Sequence, residues 1–189
     1  MKYNPEIHHR RSIRLKEYDY SQAGAYFITL CIQQKVCLFG TIVDEKMILN
    51  SAGKRVDHWW NELKNKYGNI ELGEYIIMPN HFHGIIIVGA NLCVRPDNLR
   101  PEINNQIKNM EQTHRSAPTV GEMIQWFKTM TTNEYIRNVK QNGWEPFSGK
   151  LWQRNYYEHI IRNDKSLENI SEYIVYNSNN WAKDDLFVT

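Results

Sequence analysis

Residues 70–88 read IELGEYIIMPNHFHGIIIV, two runs rich in isoleucine and aromatics broken at Pro79-Asn80. Proline removes a ladder donor and asparagine favours turns, so the break reads as a short turn and the runs as paired antiparallel strands. A pair this apolar cannot face water on both sides. The rest of the chain must therefore supply helices or further strands to cover it.

The remaining segments meet that demand. AYFITLCIQQ (25–34) reads as a strand, and CLFGTIVDEKMILN (37–50) as a hairpin with Asp44-Glu45-Lys46 at its tip. Ser51 offers an N-cap for a helix carrying Val56, Trp59, Trp60 and Leu63 at helical spacing, and Gly68 a stop. Thr119 caps a second helix with an apolar stripe at Met123, Phe127 and Met130. Residues 151–162 are strand-like, and Asp164 opens a last helix reaching about Trp181. Residues 90–118 are polar and aperiodic and read as a long loop. The order predicts one α+β domain over 1–189, an antiparallel sheet packed with helices.

Composition narrows the function classes. With 41% apolar residues the chain is globular, and no run approaches a membrane span of roughly 18 apolar residues. The start of the chain lacks a signal-peptide pattern. Three cysteines without CxxC spacing argue against a disulfide framework or zinc knuckle and fit a cytoplasmic protein. No Gly-rich phosphate loop is present. The net charge is only +2, but a basic arm within residues 1–20 gathers Arg10, Arg11, Arg14 and Lys16. Such a run is a solvated arm or a nucleic-acid contact.

The chemistry-bearing feature is MPNHFHG (78–84). Alternate residues of a strand share a face, so His81 and His83 project together about 6.6 Å apart at Cα while Phe82 points to the opposite side. Two imidazoles at that separation can converge on one cation. The plain alternative is a pair of histidines at a strand start. Gly84 weighs against it, because a missing side chain lets another backbone or a ligand approach closely.

Two ligands need a third. On the last helix, Leu167, Ile170, Ile174 and Trp181 form an apolar stripe. At about 100° per residue, Asn177 lies about 45° from its middle, Tyr173 about 85° and Tyr176 about 145°. Tyr173 and Asn177 are an i, i+4 pair on one helix edge. Asn177 can offer an amide oxygen to the ion and Tyr173 a phenol one turn away. Two imidazoles, an amide oxygen and waters suit Mg²⁺ or Mn²⁺ better than a closed zinc site. The alternative is an ordinary helix-edge tyrosine.

MPNHFHG resembles the His–hydrophobic–His (HUH) signature of single-tyrosine nucleases. RRSIRLKEYDYSQAGAYFITLCIQ, SAPTVGEMIQWFK, LWQRNYYEHIIRNDKSLENISEYIVYN and NNW extend the likeness along most of the chain. Together they resemble the transposases associated with repetitive extragenic palindromes (REP-associated tyrosine transposases). The resemblance implies a ferredoxin-like fold that cleaves and rejoins single-stranded DNA at hairpins through a 5′-phosphotyrosine. It assigns His81 and His83 as metal ligands, Asn177 as the third ligand and Tyr173 as the nucleophile, without excluding Tyr176. It leaves open whether the protein acts as a monomer or a homodimer.

On that reading Arg10, Arg11, Arg14 and Lys16 grip hairpin phosphates, with Lys128 and Arg154 as weaker DNA contacts. Tyr156, Tyr157 and Trp126 read as core aromatics rather than base-stacking platforms. Glu158 and His159 read as buried and hydrogen-bonded, or as spare ligands if their strand runs beside the histidines. The rival functions are a non-catalytic hairpin binder on the same fold and a metal-dependent hydrolase of small phosphoesters.

Overall fold

The computed structural model describes residues 23–89 and 118–187. Its strands are β1 (Gly24–Cys31), β2 (Gly40–Val43), β3 (Lys46–Leu49), β4 (Ile70–Ile77), β5 (His81–Val88) and β6 (Tyr157–Ile161). Its α-helices are α1 (Ser51–Lys66), α2 (Val120–Asn142) and α3 (Asp164–Val175). The main sheet is antiparallel with order β4-β5-β1-β6, and β2-β3 forms a separate hairpin. This is the expected α+β architecture. Among the described residues no helix is long and apolar enough to cross a membrane.

β5 and β1 occupy the middle of the sheet, and both are buried along almost their whole length because each face is covered. On one face Tyr26, Ile28, Leu30, Phe82 and Ile86 pack against Val56, Trp60 and Leu63 of α1 and Met123 and Phe127 of α2. On the other, a smaller cluster joins Phe27 and Ile85 to Ile161 and to Ile174 of α3. The histidines belong to this second face.

Gly84 does not. An added Cβ there would lie 2.6 Å from Trp60 Cζ2 and 2.8 Å from the Phe82 ring, on the side away from the histidines. The close neighbour that its missing side chain admits is therefore an indole from α1, not a ligand. Gly84→Ala should destabilise the fold by about 1–3 kcal/mol through overpacking. Urea unfolding measures this, and an unchanged midpoint would contradict the packing.

Four local expectations shift. The α1 cap is Asn50, whose Oδ1 accepts from Gly53 N at 2.9 Å while its Nδ2 donates to Leu38 O, leaving Ser51 inside the first turn. That helix ends at an extended Tyr67, with Gly68 outside the left-handed region. Asn163 rather than Asp164 caps α3. At both helix starts the residue one position earlier carries the side chain that reaches the free N–H. Of residues 151–162 only 157–161 form a strand, because Trp152 turns into the core against Phe39 and Phe127.

α3 stops at Val175, and the chain continues as a 3₁₀ segment, Ser178–Lys183. The run Asn177-Ser178-Asn179-Asn180 suits this break, since these side chains compete for backbone groups. Asn180 Nδ2 indeed donates to Tyr176 O. Thr119 caps α2 as the sequence suggests, and Glu122 completes a capping box with it.

Candidate metal and nucleophile site

Strand register places the first partners. His83 lies opposite Thr29 and His81 opposite Cys31, so all four side chains share one face. His83 Nδ1 is 2.8 Å from Thr29 Oγ1, and its ring stacks on Phe27 at 5.4 Å between centroids. The two imidazole centroids are 4.7 Å apart.

His81 has a tautomer that its neighbours dictate. Asn80 Nδ2 donates to Lys35 O at 3.0 Å and to Leu186 O at 2.8 Å. Both partners can only accept, so the amide orientation is set and Oδ1 faces His81 Nδ1 at 2.8 Å. Nδ1 must then carry the proton, and the bare Nε2 points into the site.

The side nearest Nε2 holds a further acceptor, the Asp184 carboxylate. Asp184 Oδ2 lies 4.0 Å away, and Asn177 Nδ2 donates to that oxygen at 3.4 Å. Asn177 is 2% exposed although it follows the end of α3. Its Oδ1 and His81 Nε2 are buried, and neither has a hydrogen-bond partner among the described residues. His81, His83 and Asp184 offer ligand atoms all within 4.8 Å of one another. Buried lone pairs that face one another without a proton between them are what a cation satisfies. Two imidazoles with amide or carboxylate oxygen suit a divalent ion of intermediate hardness.

Tyr173 stands at the open side, 48% exposed, with its hydroxyl 3.3 Å from His83 Nε2. Its ring meets His83 and Phe27 edge-on. Burial and then the Asp184 carboxylate raise the phenol pKa, so the hydroxyl is protonated at neutral pH. Burial pushes His81 down to about 4, with Asp184 and Asn177 opposing, and His83 down to about 3, with His81 adding to the fall. Both are neutral at pH 7, the form that binds metal.

A stability trend follows. Between the unfolded imidazole value near 6.5 and about 4, the unfolded chain takes up protons that the folded site refuses. Stability is therefore full above about pH 6.5 and falls as the pH drops, by on the order of 3 kcal/mol at pH 4 for His81 alone. Thermal unfolding of metal-free protein from pH 7 to pH 4 should show this, with a shallower fall in His83→Gln. Identical curves for the two proteins would refute it.

The structure brings His81, His83, Asn177 and Tyr173 together. Tyr176 is 58% exposed and stands apart from this group. Asp184 was not anticipated. Lys128 lies away from the cluster, its Nζ donating to Gln153 O and Arg154 O, and Arg154 is exposed. Arg10, Arg11, Arg14, Lys16 and the loop segment 90–117 lie outside the described residues.

Trp126 packs at the core edge against Trp59 and Tyr67, as expected. Tyr156 is half-buried and donates to Glu158 Oε2. Tyr157 departs from the core assignment: it is 55% exposed, edge-on to Phe27. β6 pairs with β1 rather than β5, which removes Glu158 and His159 from the ligand group, and His159 is exposed rather than buried.

No protein-family model matches the chain. An uncharacterised protein of Haemophilus influenzae is 42% identical over 190 residues, covering 99% of this chain and 98% of that protein. A second H. influenzae protein, named "Putative REP-associated tyrosine transposase", is 25% identical over 84% of this chain and 72% of its own length. A solved REP-associated tyrosine transposase, bound to a REP hairpin, superposes with a TM-score of 0.53 at 15% identity over 89% of this chain and 74% of that one. This last likeness speaks for the fold alone. The chain therefore belongs to one family with the uncharacterised Haemophilus protein, and it is similar in sequence to the protein named as a putative REP-associated tyrosine transposase and in fold to the solved one.

Proposed function

We propose that the protein is a metal-dependent single-stranded DNA endonuclease and strand transferase, acting beside DNA hairpins through a 5′-phosphotyrosine on Tyr173. The observation that carries this reading is the Tyr173 hydroxyl 3.3 Å from His83 Nε2, at the open edge of a buried group of unpaired acceptors. Nucleophile and metal ligands from opposite ends of a 90-residue separation meet there.

His81 Nε2, His83 Nε2 and an oxygen of Asn177 or Asp184 would hold the ion, Mg²⁺ or Mn²⁺. Such an ion supplies positive charge against the oxygens of a scissile phosphate. The residues do the rest. Thr29 and Asn80 orient the imidazoles, Phe27 buttresses one ring, and the helix edge presents Tyr173 Oη to phosphorus. The Oη–P bond forms as the P–O3′ bond breaks. The phenol gives up its proton, and the departing oxygen ends as a 3′-hydroxyl. Attack by a second 3′-hydroxyl on the phosphotyrosine reverses the step and conserves the bond, so no nucleotide cofactor is needed. The basic arm (Arg10, Arg11, Arg14 and Lys16) and Arg154 would add salt-dependent grip on the phosphates.

A labelled oligonucleotide carrying a hairpin and a single-stranded flank, mixed with protein and Mn²⁺, tests this on a denaturing gel. A band at the combined mass of protein and DNA is expected. Cleaved DNA without that band would indicate a hydrolase, and a native-gel shift without cleavage a binding protein. Either outcome would overturn the proposal.

A further inference from the structure

A cavity lined by both polar side chains and the apolar Ile136, Phe147 and Leu151 lies between α2 and the segment that leads into β6. It holds about 370 Å³, within the range of small-ligand sites. Lys128, Lys150 and Arg154 line it together with the amides of Gln125 and Asn133, and no acidic side chain does. Among the described residues none of the three cations forms an ion pair. Burial and then Lys150 lower the Lys128 pKa to about 8. Like charges have been drawn together here with no anion to offset them.

One structural role for Lys128 is plain. Its Nζ donates to Gln153 O at 2.6 Å and to Arg154 O at 3.2 Å, which pins this segment to the helix. An ammonium has three donors, so one is left over. The strut also gives no reason for Lys150 and Arg154 to flank it without a carboxylate. The position of the cavity supplies one. Gln153 N donates to Cys31 O, and Cys31 lies directly opposite His81 in the sheet. The cavity wall is thus stitched to the end of β1 that pairs with the ligand-bearing end of β5.

We propose that this cavity is a phosphate-binding subsite for the single strand that leads to Tyr173, holding backbone phosphates through Lys128, Lys150 and Arg154. The assignment of the strand rests on the nuclease reading above. The chemistry, an oxyanion held by three cations and flanking amides, does not. Arg154 on the rim suits a bidentate grip on phosphate, while the lysines act as point charges.

The test is binding, kept apart from cleavage by using Tyr173→Phe protein in metal-free buffer. Fluorescence anisotropy follows a hairpin oligonucleotide with a single-stranded flank over a range of salt concentrations. The exposed pair Lys150→Gln/Arg154→Gln should flatten the slope of log K against log salt by about 1.4, near 0.7 per lost single-strand phosphate contact. Affinity at low salt should fall about tenfold. The pair Lys64→Gln/Lys66→Gln at the far end of α1 should leave both unchanged. Equal slopes for the two double variants would overturn the subsite. An equal loss with a blunt hairpin lacking the flank would assign the cavity to the duplex and overturn the single-strand assignment. Inorganic phosphate that shifts the amide resonances of 150–154, while oligonucleotide binding ignores the substitutions, would make it a small-anion site and refute the proposal. If the slope falls but wild-type protein forms no adduct, the subsite stands and the nuclease reading fails.

Discussion

Tyr173→Phe should abolish the covalent protein–DNA adduct altogether, leaving hairpin affinity within about twofold of wild type. The substitution removes one oxygen from a half-exposed ring and keeps its edge contacts with Phe27 and His83. A nucleophile cannot be replaced by geometry alone, so the expected loss is the whole covalent step rather than a fraction of it. The same gel checks Tyr176→Phe, which should retain the adduct because that side chain is exposed and apart from the ligand group. An adduct persisting in Tyr173→Phe and vanishing in Tyr176→Phe would reverse the assignment.

The second large effect belongs to a residue that offers no ligand atom itself. Asn80→Ala should lower divalent-ion affinity by about 10–100-fold, the usual range for losing the partner that orients a metal-binding histidine. The cause is specific. Without Oδ1, His81 is free to place its proton on Nε2, the nitrogen aimed at Asp184 and Asn177. Nitrogen-15 spectra of metal-free protein distinguish the two tautomers directly. Wild type should show His81 protonated at Nδ1, and the variant should shift toward Nε2. If His81 keeps its Nδ1 proton and Mn²⁺ affinity is unchanged, Asn80 does not govern the site.

Period-two and turn signals made the β4–β5 and β2–β3 hairpins legible, because strand alternation with a polar break has few other readings. The histidine pair was legible for the same reason. The i, i+4 relation of Tyr173 and Asn177 puts both beside the histidines, where the structure also has them, but by a different path of the chain. It assumed a helix to about Trp181, whereas α3 ends at Val175 and Asn177 is turned inward by the chain that follows. In sequence Gly84 points to the site, but its vacant side serves Trp60, since a sequence does not say which face a neighbour approaches. Asp184 carried no signal at all. Its place depends on the path of the 3₁₀ segment and on Leu186 N donating to its Oδ1, and neither has a periodicity.

The two sheet faces differ in how firmly they are held. The histidines sit on a central strand, hydrogen-bonded on both edges and backed by the larger core. Tyr173 rides on α3, a helix with one fully buried residue, Ile174, over the smaller cluster. Local opening is cheapest where few apolar contacts must be broken. The amides of α3 should therefore exchange with deuterated solvent well ahead of those of β5. The protein would then open its nucleophile to a bulky strand while the imidazoles stay in register, so substrate entry and ligand geometry need not compete.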